Sequence, residues 1–279
     1  MYFDYFTTAA LIDELNTVLA GGRVQDVLQM DEFSMGLEIY SQRSRQYLFM
    51  SADPEQPRVH LTSGKLRRGM EQPSPILLQM RRYIEGGKLV AIRQPAWERI
   101  LIFDILHGEG EFSLIVEPIE RRANIILVQD GQVKECIRRV FAEDNRVRQV
   151  LPGQPYQPPP PQAKLEPQLV TVQDIEKFLF SDAFARIQQA LTRHIHGLSP
   201  LLGREIAYRA AGKPNAKVDE ADASEVMEAF TEVVSPLLEH EWQPGYTVEI
   251  EAPDEDVTEG EILDEYVTAF AVFRVTFQH

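Results

Sequence analysis

The stretch Ala10–Gln29, ALIDELNTVLAGGRVQDVLQ, and the stretch Pro75–Gln94, PILLQMRRYIEGGKLVAIRQ, decide the fold. Each reads as a helix that ends in a Gly-Gly pair and passes straight into a strand. An offset of 65 residues lays Gly21 on Gly86, Gly22 on Gly87, Arg23 on Lys88, Val27 on Ile92 and Gln29 on Gln94. In the first copy Leu11, Leu15, Val18 and Leu19 form one apolar stripe, with Thr7 or Thr8 as the candidate N-cap. In the second, Ser74 and Pro75 make an N-cap and N1 pair, and Ile76, Leu77, Met80, Tyr83 and Ile84 point inward. Gly21 or Gly22 supplies the left-handed residue that lets the chain leave the helix sharply.

The same offset runs on without a gap. It places Met35, Leu37 and Ile39 on Ile100, Ile102 and Asp104, Tyr47-Leu48-Phe49-Met50 on Phe112-Ser113-Leu114-Ile115, and Leu61 on Ile126. Alternation is clearest in Met35–Ile39 and Arg58–Thr62. Strands follow one another with no helix between them, which a parallel βαβ arrangement forbids. Residues 1–150 are therefore expected to form one duplicated domain of α+β class, an antiparallel β-sandwich or barrel flanked by two helices. Residues 151–167, LPGQPYQPPPPQAKLEP, hold seven prolines and read as a stiff connector. Residues 168–240 turn helical, over Val172–Phe180, Ala183–Ile195, Pro200–Ala211 and Ala223–Leu238. Residues 241–279 return to strand within an acidic segment.

Composition is that of a globular chain, with 44% hydrophobic and 25% charged residues among 279 and a mean hydropathy of −0.25. No apolar run approaches the ~18 residues of a membrane span, and Met-Tyr-Phe-Asp is not a signal-peptide start, so no membrane partner and a cytoplasmic location are expected. The single cysteine, Cys136, excludes an intrachain disulfide. The net charge of −15 is unevenly spread: residues 1–150 hold 19 basic and 21 acidic residues, a balance of −2, and residues 151–279 hold 9 and 22, a balance of −13. The overall sign argues against a generic nucleic-acid binder but leaves room for a local basic face on the first half. The acidic run after Lys217 reads as solvated surface.

No Walker A loop or Gly-x-Ser-x-Gly occurs, and Gly108-Glu109-Gly110 reads as a turn between strands. His194-x-His196 lacks a third metal ligand, and Asp254-Glu255-Asp256 lacks the glycine and spacing of an EF-hand loop, so no metal and no cofactor are expected. What remains is arginine chemistry. Arg43, Arg45, Arg58, His60, Lys65, Arg67 and Arg68 cluster in the first repeat, while Arg81-Arg82 and Arg121-Arg122 add pairs in the second. Guanidinium groups bind phosphate bidentately and release counterions; the bland reading of about half of them is solubilising charge. Gly197-Leu198-Ser199-Pro200 has the form of a helix-hairpin-helix turn, which either presents backbone N–H groups to a phosphate at Gly197 and Ser199 or merely packs two helices.

GGRV (21–24), RVHLT (58–62), RRYIEGGKL (81–89), the strand after Trp97-Glu98-Arg99, NIILV (124–128), the LPGxxYxPPPPQxKxxP run and GLSPLLGREI (197–206) occur in the order seen in the NFACT (fibronectin-binding protein A) family. The chain resembles that family over nearly all of residues 1–212. The resemblance implies an NFACT-N domain, similar to the N-terminal domain of formamidopyrimidine-type DNA glycosylases, then a helix-hairpin-helix domain and a segment leading toward a coiled coil. It implies a non-catalytic module of a ribosome quality-control factor, which binds the large ribosomal subunit obstructed by peptidyl-tRNA. It further implies recruitment of tRNA, alanine tRNA in particular, for alanine tailing of the stalled chain.

An Asp-Arg pair grips tRNA in the family; here it reads Glu98-Arg99. Counted by the repeat, that pair lies opposite Phe33-Ser34, so it has no charged counterpart. Arg43, Arg45, Lys65, Arg67, Arg68, Arg81 and Arg82 are the accompanying tRNA candidates. Departures from the family pattern sit at Glu120, Arg122 and Ala123. The glycosylases' N-terminal proline nucleophile is replaced by Tyr2 and Phe3, so no catalytic residue is expected. Two further readings stay open: a fibronectin- or fibrinogen-binding adhesin, and a glycosylase-like DNA-binding protein without catalytic residues.

Overall fold

The computed structural model describes residues 3–143, 145, 147–181, 185–250 and 265–277, of which 246–250 and 265–270 are described by their backbone. Asp254-Glu255-Asp256, Tyr2 and Ala183 lie outside the described residues. The chain divides into two compact units, Thr8–Pro161 and Gln162–His279 taken with Met1–Thr7.

The first unit is built on one nine-stranded sheet, every pairing of which is antiparallel. Helix α1 (Tyr5–Leu19) leads into β1 (Arg23–Gln29), β2 (Ser34–Ser41), β3 (Ser44–Ser51) and β4 (Arg58–Thr62). Helix α2 (Pro75–Tyr83) leads into β5 (Lys88–Arg93), β6 (Leu101–His107), β7 (Gly110–Glu117) and β8 (Asn124–Gln129), and β9 (Gln132–Cys136) adds an edge. The strand order is β4-β3-β2-β1-β5-β6-β7-β8-β9. β3 and β8 approach one another, and α2 packs against β1, β8 and β9. The sheet thus bends back on itself, the sandwich with flanking helices expected from the strand runs.

Helix α1 begins earlier than the Thr7 or Thr8 cap expected. Asp4 Oδ1 accepts from Thr7 N–H at 2.8 Å, which leaves both threonines buried inside the helix. The Ser74 cap of α2 is as expected, its hydroxyl accepting from Leu77 N–H.

The two copies meet on a pseudo-dyad at the Gly-Gly turns. Gly21 N–H donates to Leu89 O and Gly86 N–H to Val24 O, each at 2.8 Å; Val24 N–H donates to Gly87 O and Leu89 N–H to Gly22 O, at 2.9 and 2.8 Å. Each partner is the other's equivalent, and Arg23 pairs with its own counterpart Lys88. Gly21 and Gly86 hold φ of +81° and +83°, where a Cβ is disfavoured. At Gly22 and Gly87 the constraint is space: a Cβ would sit 2.8 Å from Ile39 Cγ2 and 2.7 Å from Ile105 Cγ2.

Each helix docks on the other copy's first strand. Asn16 of α1 donates to Ile92 O and accepts from Ile92 N–H. Arg81 of α2, at the equivalent position, donates from Nε and Nη2 to Val27 O. Both contacts lie beside a register shift, between Val24 and Asp26 in β1 and between Leu89 and Ala91 in β5. Such bulges leave backbone groups for side chains to satisfy.

The gapless offset is corrected by the register. Val27 faces Leu37 while Ile92 faces Phe103, and Ile39 faces Val24 while Ile105 faces Leu89. From the second strand onward the offset is 66, so Met35, Leu37 and Ile39 correspond to Leu101, Phe103 and Ile105, and Tyr47–Met50 to Ser113–Val116. Leu61 accordingly corresponds to Leu127. The extra residue lies in the turn Pro95–Arg99, which matches Met30–Phe33. Counted back from the strand, Glu98-Arg99 corresponds to Glu32-Phe33, so the arginine is new and the carboxylate is not.

Leu151–Tyr156, expected to belong to the connector, is bonded to the end of the sheet. Val133 N–H donates to Gln154 O, Gly153 N–H to Val133 O and Tyr156 N–H to Gly131 O.

The second unit packs α3 (Val172–Ser181), α4 (Ile187–His194), α5 (Pro200–Ala211) and α6 (Ala223–Leu238), with β10 (Gly245–Ile250) paired to β11 (Glu265–Ala271). Helix α4 starts at Ile187, because Arg186 is extended and bridges to Lys217. Fully buried Glu205 accepts from Arg209, from Thr276 N–H and from the Thr276 hydroxyl, tying the last described segment to α5.

Candidate nucleic-acid interface

The turn that carries the extra residue is held tightly. Gln94 caps its strand by donating from Nε2 to Glu98 O at 2.8 Å, and Glu98 N–H donates to Pro95 O. Its equivalent, Gln29, likewise donates to a turn carbonyl, that of Asp31. The longer turn has a cost: Trp97 is forced to φ +59°, a region that bulky residues seldom occupy and that clusters at functional sites.

Arg99 is half-buried, its Nη1 3.8 Å from Glu120 Oε1. Glu120 opens a short 3-10 turn, Glu120–Arg122, and is itself left-handed at φ +42°. Arg121 and Arg122 are exposed on that turn. Arg138 braces it from below, donating to Arg121 O and Ala123 O. An arginine-bearing rim thus forms from two strained loops; the family departures at Glu120 and Arg122 fall on it, and that at Ala123 is buried beneath it.

Behind the rim sits a buried clamp. Glu117 accepts both Arg148 Nη groups at 2.6 and 2.8 Å and the Tyr156 hydroxyl at 2.8 Å. Burial and the Glu117 carboxylate push the Tyr156 phenol well above its usual range. Glu98 feels the same clamp. Burial raises its carboxyl pKa, Arg99 opposes, Glu117 adds to the rise and Arg148 again opposes. Arg138 and Arg148 escaped the sequence reading, and Tyr156 entered it only as the tyrosine of the LPGxxY run; the Arg138-Arg139 doublet was the visible signal, but nothing local pairs Arg148 with a carboxylate 31 residues earlier.

The other candidates are not gathered here. β1 and β5 run antiparallel from the dyad, so the turns after Gln29 and after Gln94 stand at opposite ends of the sheet. Arg45 pairs with buried Glu38 at 3.1 Å, and Arg68 bridges both Asp26 oxygens at 3.2 Å. Arg81 serves the α2 docking contact. Arg82 lies 3.9 Å from Glu109 and over the Tyr83 ring. Arg43, Lys65 and Arg67 are exposed and make no ion pair among the described residues.

In the second unit Gly197 takes φ +76°, as a tight hairpin requires. Ser199 is buried and its hydroxyl accepts from Leu202 N–H at 3.2 Å, capping α5. That commits the Ser199 hydroxyl to the helix cap, whereas the phosphate reading concerns the backbone N–H groups of the turn. His194 stacks flat on Phe178 at 4.5 Å, and burial first, then Lys164, lower the His196 pKa. Cys136 is buried, its thiol pushed up to about 12 by burial and by Glu135. Among the described residues no helix is long and apolar enough to cross a membrane.

The family described as NFACT N-terminal and middle domains matches residues 4–267. The chain is 31% identical over 254 residues to the "Rqc2 homolog RqcH" of Bacillus subtilis, covering 88% of the chain and 43% of that protein. It therefore spans less than half the length of such curated relatives. The solved N-terminal structure of the fibronectin/fibrinogen-binding protein from Streptococcus suis superposes with a TM-score of 0.66 at 28% identity, over 82% of this chain and 84% of that one. The fibrinogen-binding protein from Staphylococcus aureus shares the fold, with a TM-score of 0.73 at 24% identity over 98% and 92%. With a family match over almost its whole length, the chain belongs to the NFACT family.

Proposed function

We propose that this chain is the tRNA-gripping part of a ribosome quality-control factor, acting on a large subunit obstructed by peptidyl-tRNA. It would recruit tRNA, alanine tRNA in particular, for alanine tailing of the stalled chain. The observation that carries this reading is the turn Pro95–Arg99. It is one residue longer than its duplicate, is strained at Trp97, and presents an arginine the duplicate lacks. Strain kept where an unstrained alternative exists in the same molecule points to a use beyond folding. In this reading Arg99 contacts a phosphate or stacks on a base, Glu98 orients it, and Arg121 and Arg122 hold the backbone. The site is a grip and carries no reaction step.

Gel-shift titration of tRNA against the chain and its Arg99→Ala variant tests this. Loss of a base contact weakens binding roughly five- to 150-fold; loss of a phosphate contact lowers the salt slope by about one. Unchanged melting curves of the two proteins show that the fold survives the substitution, so that a change in affinity reports on binding. Equal affinity and equal salt slope would remove Arg99 from the site.

A second reading is favoured by the likeness to the Streptococcus suis protein, which is named for binding fibronectin and fibrinogen. Immobilised fibronectin and fibrinogen, probed with the chain in the presence and absence of tRNA, separate the two. Saturable capture that tRNA leaves untouched would support the adhesin.

A further inference from the structure

The outer face of β2, β3 and β4 differs from its duplicate in a way the Arg99 site does not explain. Residues of one parity share that face: Gly36, Glu38 and Tyr40 of β2, Arg45, Tyr47 and Phe49 of β3, and Arg58, His60 and Thr62 of β4. Phe49 and His60 are cross-strand partners and their rings stack at 5.2 Å with a 28° tilt. The Arg58 guanidinium lies 4.9 Å over the Phe49 ring. Tyr47 is half-buried, Tyr40 is 45% exposed and His60 is exposed.

In the second repeat the equivalents of Gly36, Phe49, Arg58 and His60 are Ile102, Ile115, Asn124 and Ile126. Those isoleucines belong to a sealed cluster with Val133, Cys136 and Val150, covered by Ile119, Val140 and Tyr156. The duplication therefore offered a dry solution for this face, and the first repeat carries aromatic and cationic groups instead.

Cations flank the same face. Leu66 is pinned against Gly36, where a Cβ would fall 2.3 Å from Leu66 Cδ1. Lys65 and Arg67, its chain neighbours, are exposed, as is Arg43 at the β2–β3 turn. Two acids of this region are engaged, Glu38 by Arg45 and Asp26 by Arg68.

We infer that the outer face of β2–β3–β4 is a stacking platform for unpaired nucleotides of single-stranded nucleic acid. A β-sheet surface bearing stacked rings accepts any base, since every base has a π-face, and neighbouring cations hold the phosphates. Arg58 is suited to close the stack through its planar guanidinium. A protein partner would find little exposed aliphatic surface here, so nucleic acid is the occupant the chemistry favours. The inference extends the RNA-binding reading without resting on Arg99, because the Pro95–Arg99 turn lies at the other end of the sheet.

The test is fluorescence anisotropy with labelled U8 and dT8 oligonucleotides, and with a hairpin duplex as competitor. His60→Ala and Phe49→Leu are each expected to weaken U8 binding roughly five-fold or more, stacking being the interaction lost. Arg58→Gln, which leaves both rings in place, should reduce affinity and flatten the salt dependence. Arg99→Ala should change U8 binding less than two-fold while weakening tRNA, so failure of one site is distinguishable from failure of the other. A stronger response to U8 than to dT8 assigns RNA; equal response assigns single strands of either kind. The proposal is overturned if U8 and dT8 do not bind, if His60→Ala with an unchanged melting curve keeps full affinity, or if the duplex competes as well as the single strand.

Discussion

The two repeats have one architecture and two finishes. Both use a left-handed glycine, a crowded glycine, a bulge in the first strand and a helix docked across the dyad. They part on the outer face. Repeat two places Glu117 where repeat one has Ser51, and fastens it to Arg148 and Tyr156 of the segment that covers the face. Repeat one pairs Ser51 with Ser34 through a plain hydroxyl contact at 3.1 Å and, among the described residues, has no such clamp. The difference teaches that the shared positions specify the sheet, while the covering segment and one inserted residue decide what each end is available for.

Breaking the clamp should have the largest effect. Arg148→Met would leave Glu117, 1% exposed, as a buried carboxylate without its counter-charge. A loss of about 3–5 kcal/mol is expected in urea unfolding. Adding Glu117→Ser, which installs the residue of the first repeat, should recover much of that loss by removing the stranded charge. A cost below about 1 kcal/mol for Arg148→Met would mean that the apolar cluster seals the face unaided.

The dyad itself is sharpened by a matched pair. Gly22→Ala and Gly87→Ala each thrust a Cβ against an isoleucine methyl and a helix-end carbonyl, Leu19 O at 2.8 Å and Ile84 O at 3.0 Å. Overpacking of this kind costs about 1–3 kcal/mol, and the two values should agree within about 0.5 kcal/mol. A difference above about 1 kcal/mol would show that the copies share geometry but not load.

Sequence reading reached the duplicated antiparallel sheet because Gly-Gly turns, helix stripes and alternating strands are local signals. It missed the shift from 65 to 66 because Leu, Ile and Val alternate so regularly that a one-residue slip still matches apolar to apolar. That slip set Ile39 against Asp104, a mismatch that marked the error. The correct partner of Asp104 is Glu38, and both acids are held by an arginine, Arg93 and Arg45 respectively. The arginine list was legible as charge but not as geometry. Arg81 and Arg68 are taken up by Val27 O and Asp26, partners 54 and 42 residues away, which no spacing announces. Glu98-Arg99 stood out by charge alone; what the register adds is that the turn is longer than its duplicate and that only the arginine lacks a counterpart.

The smallest effect concerns Glu98 and asks whether its carboxylate belongs to folding or to binding. Burial raises its pKa in the folded state, and the opposing pull of Arg99 does not cancel the rise. The folded chain therefore holds this proton more tightly than the unfolded chain, whose carboxyl titrates near ~4. As pH climbs from there through the raised folded value, stability falls, and above it the penalty is complete. Glu98→Gln should accordingly be the more stable protein at pH 7, by roughly 1–3 °C in Tm, with the gain fading as the pH is lowered toward 4. Should Glu98→Gln prove less stable at pH 7, the carboxylate would be a fold-determining partner of Arg99. The gain predicted here instead makes Glu98 a group kept at the expense of stability, as expected where the longer turn serves a ligand.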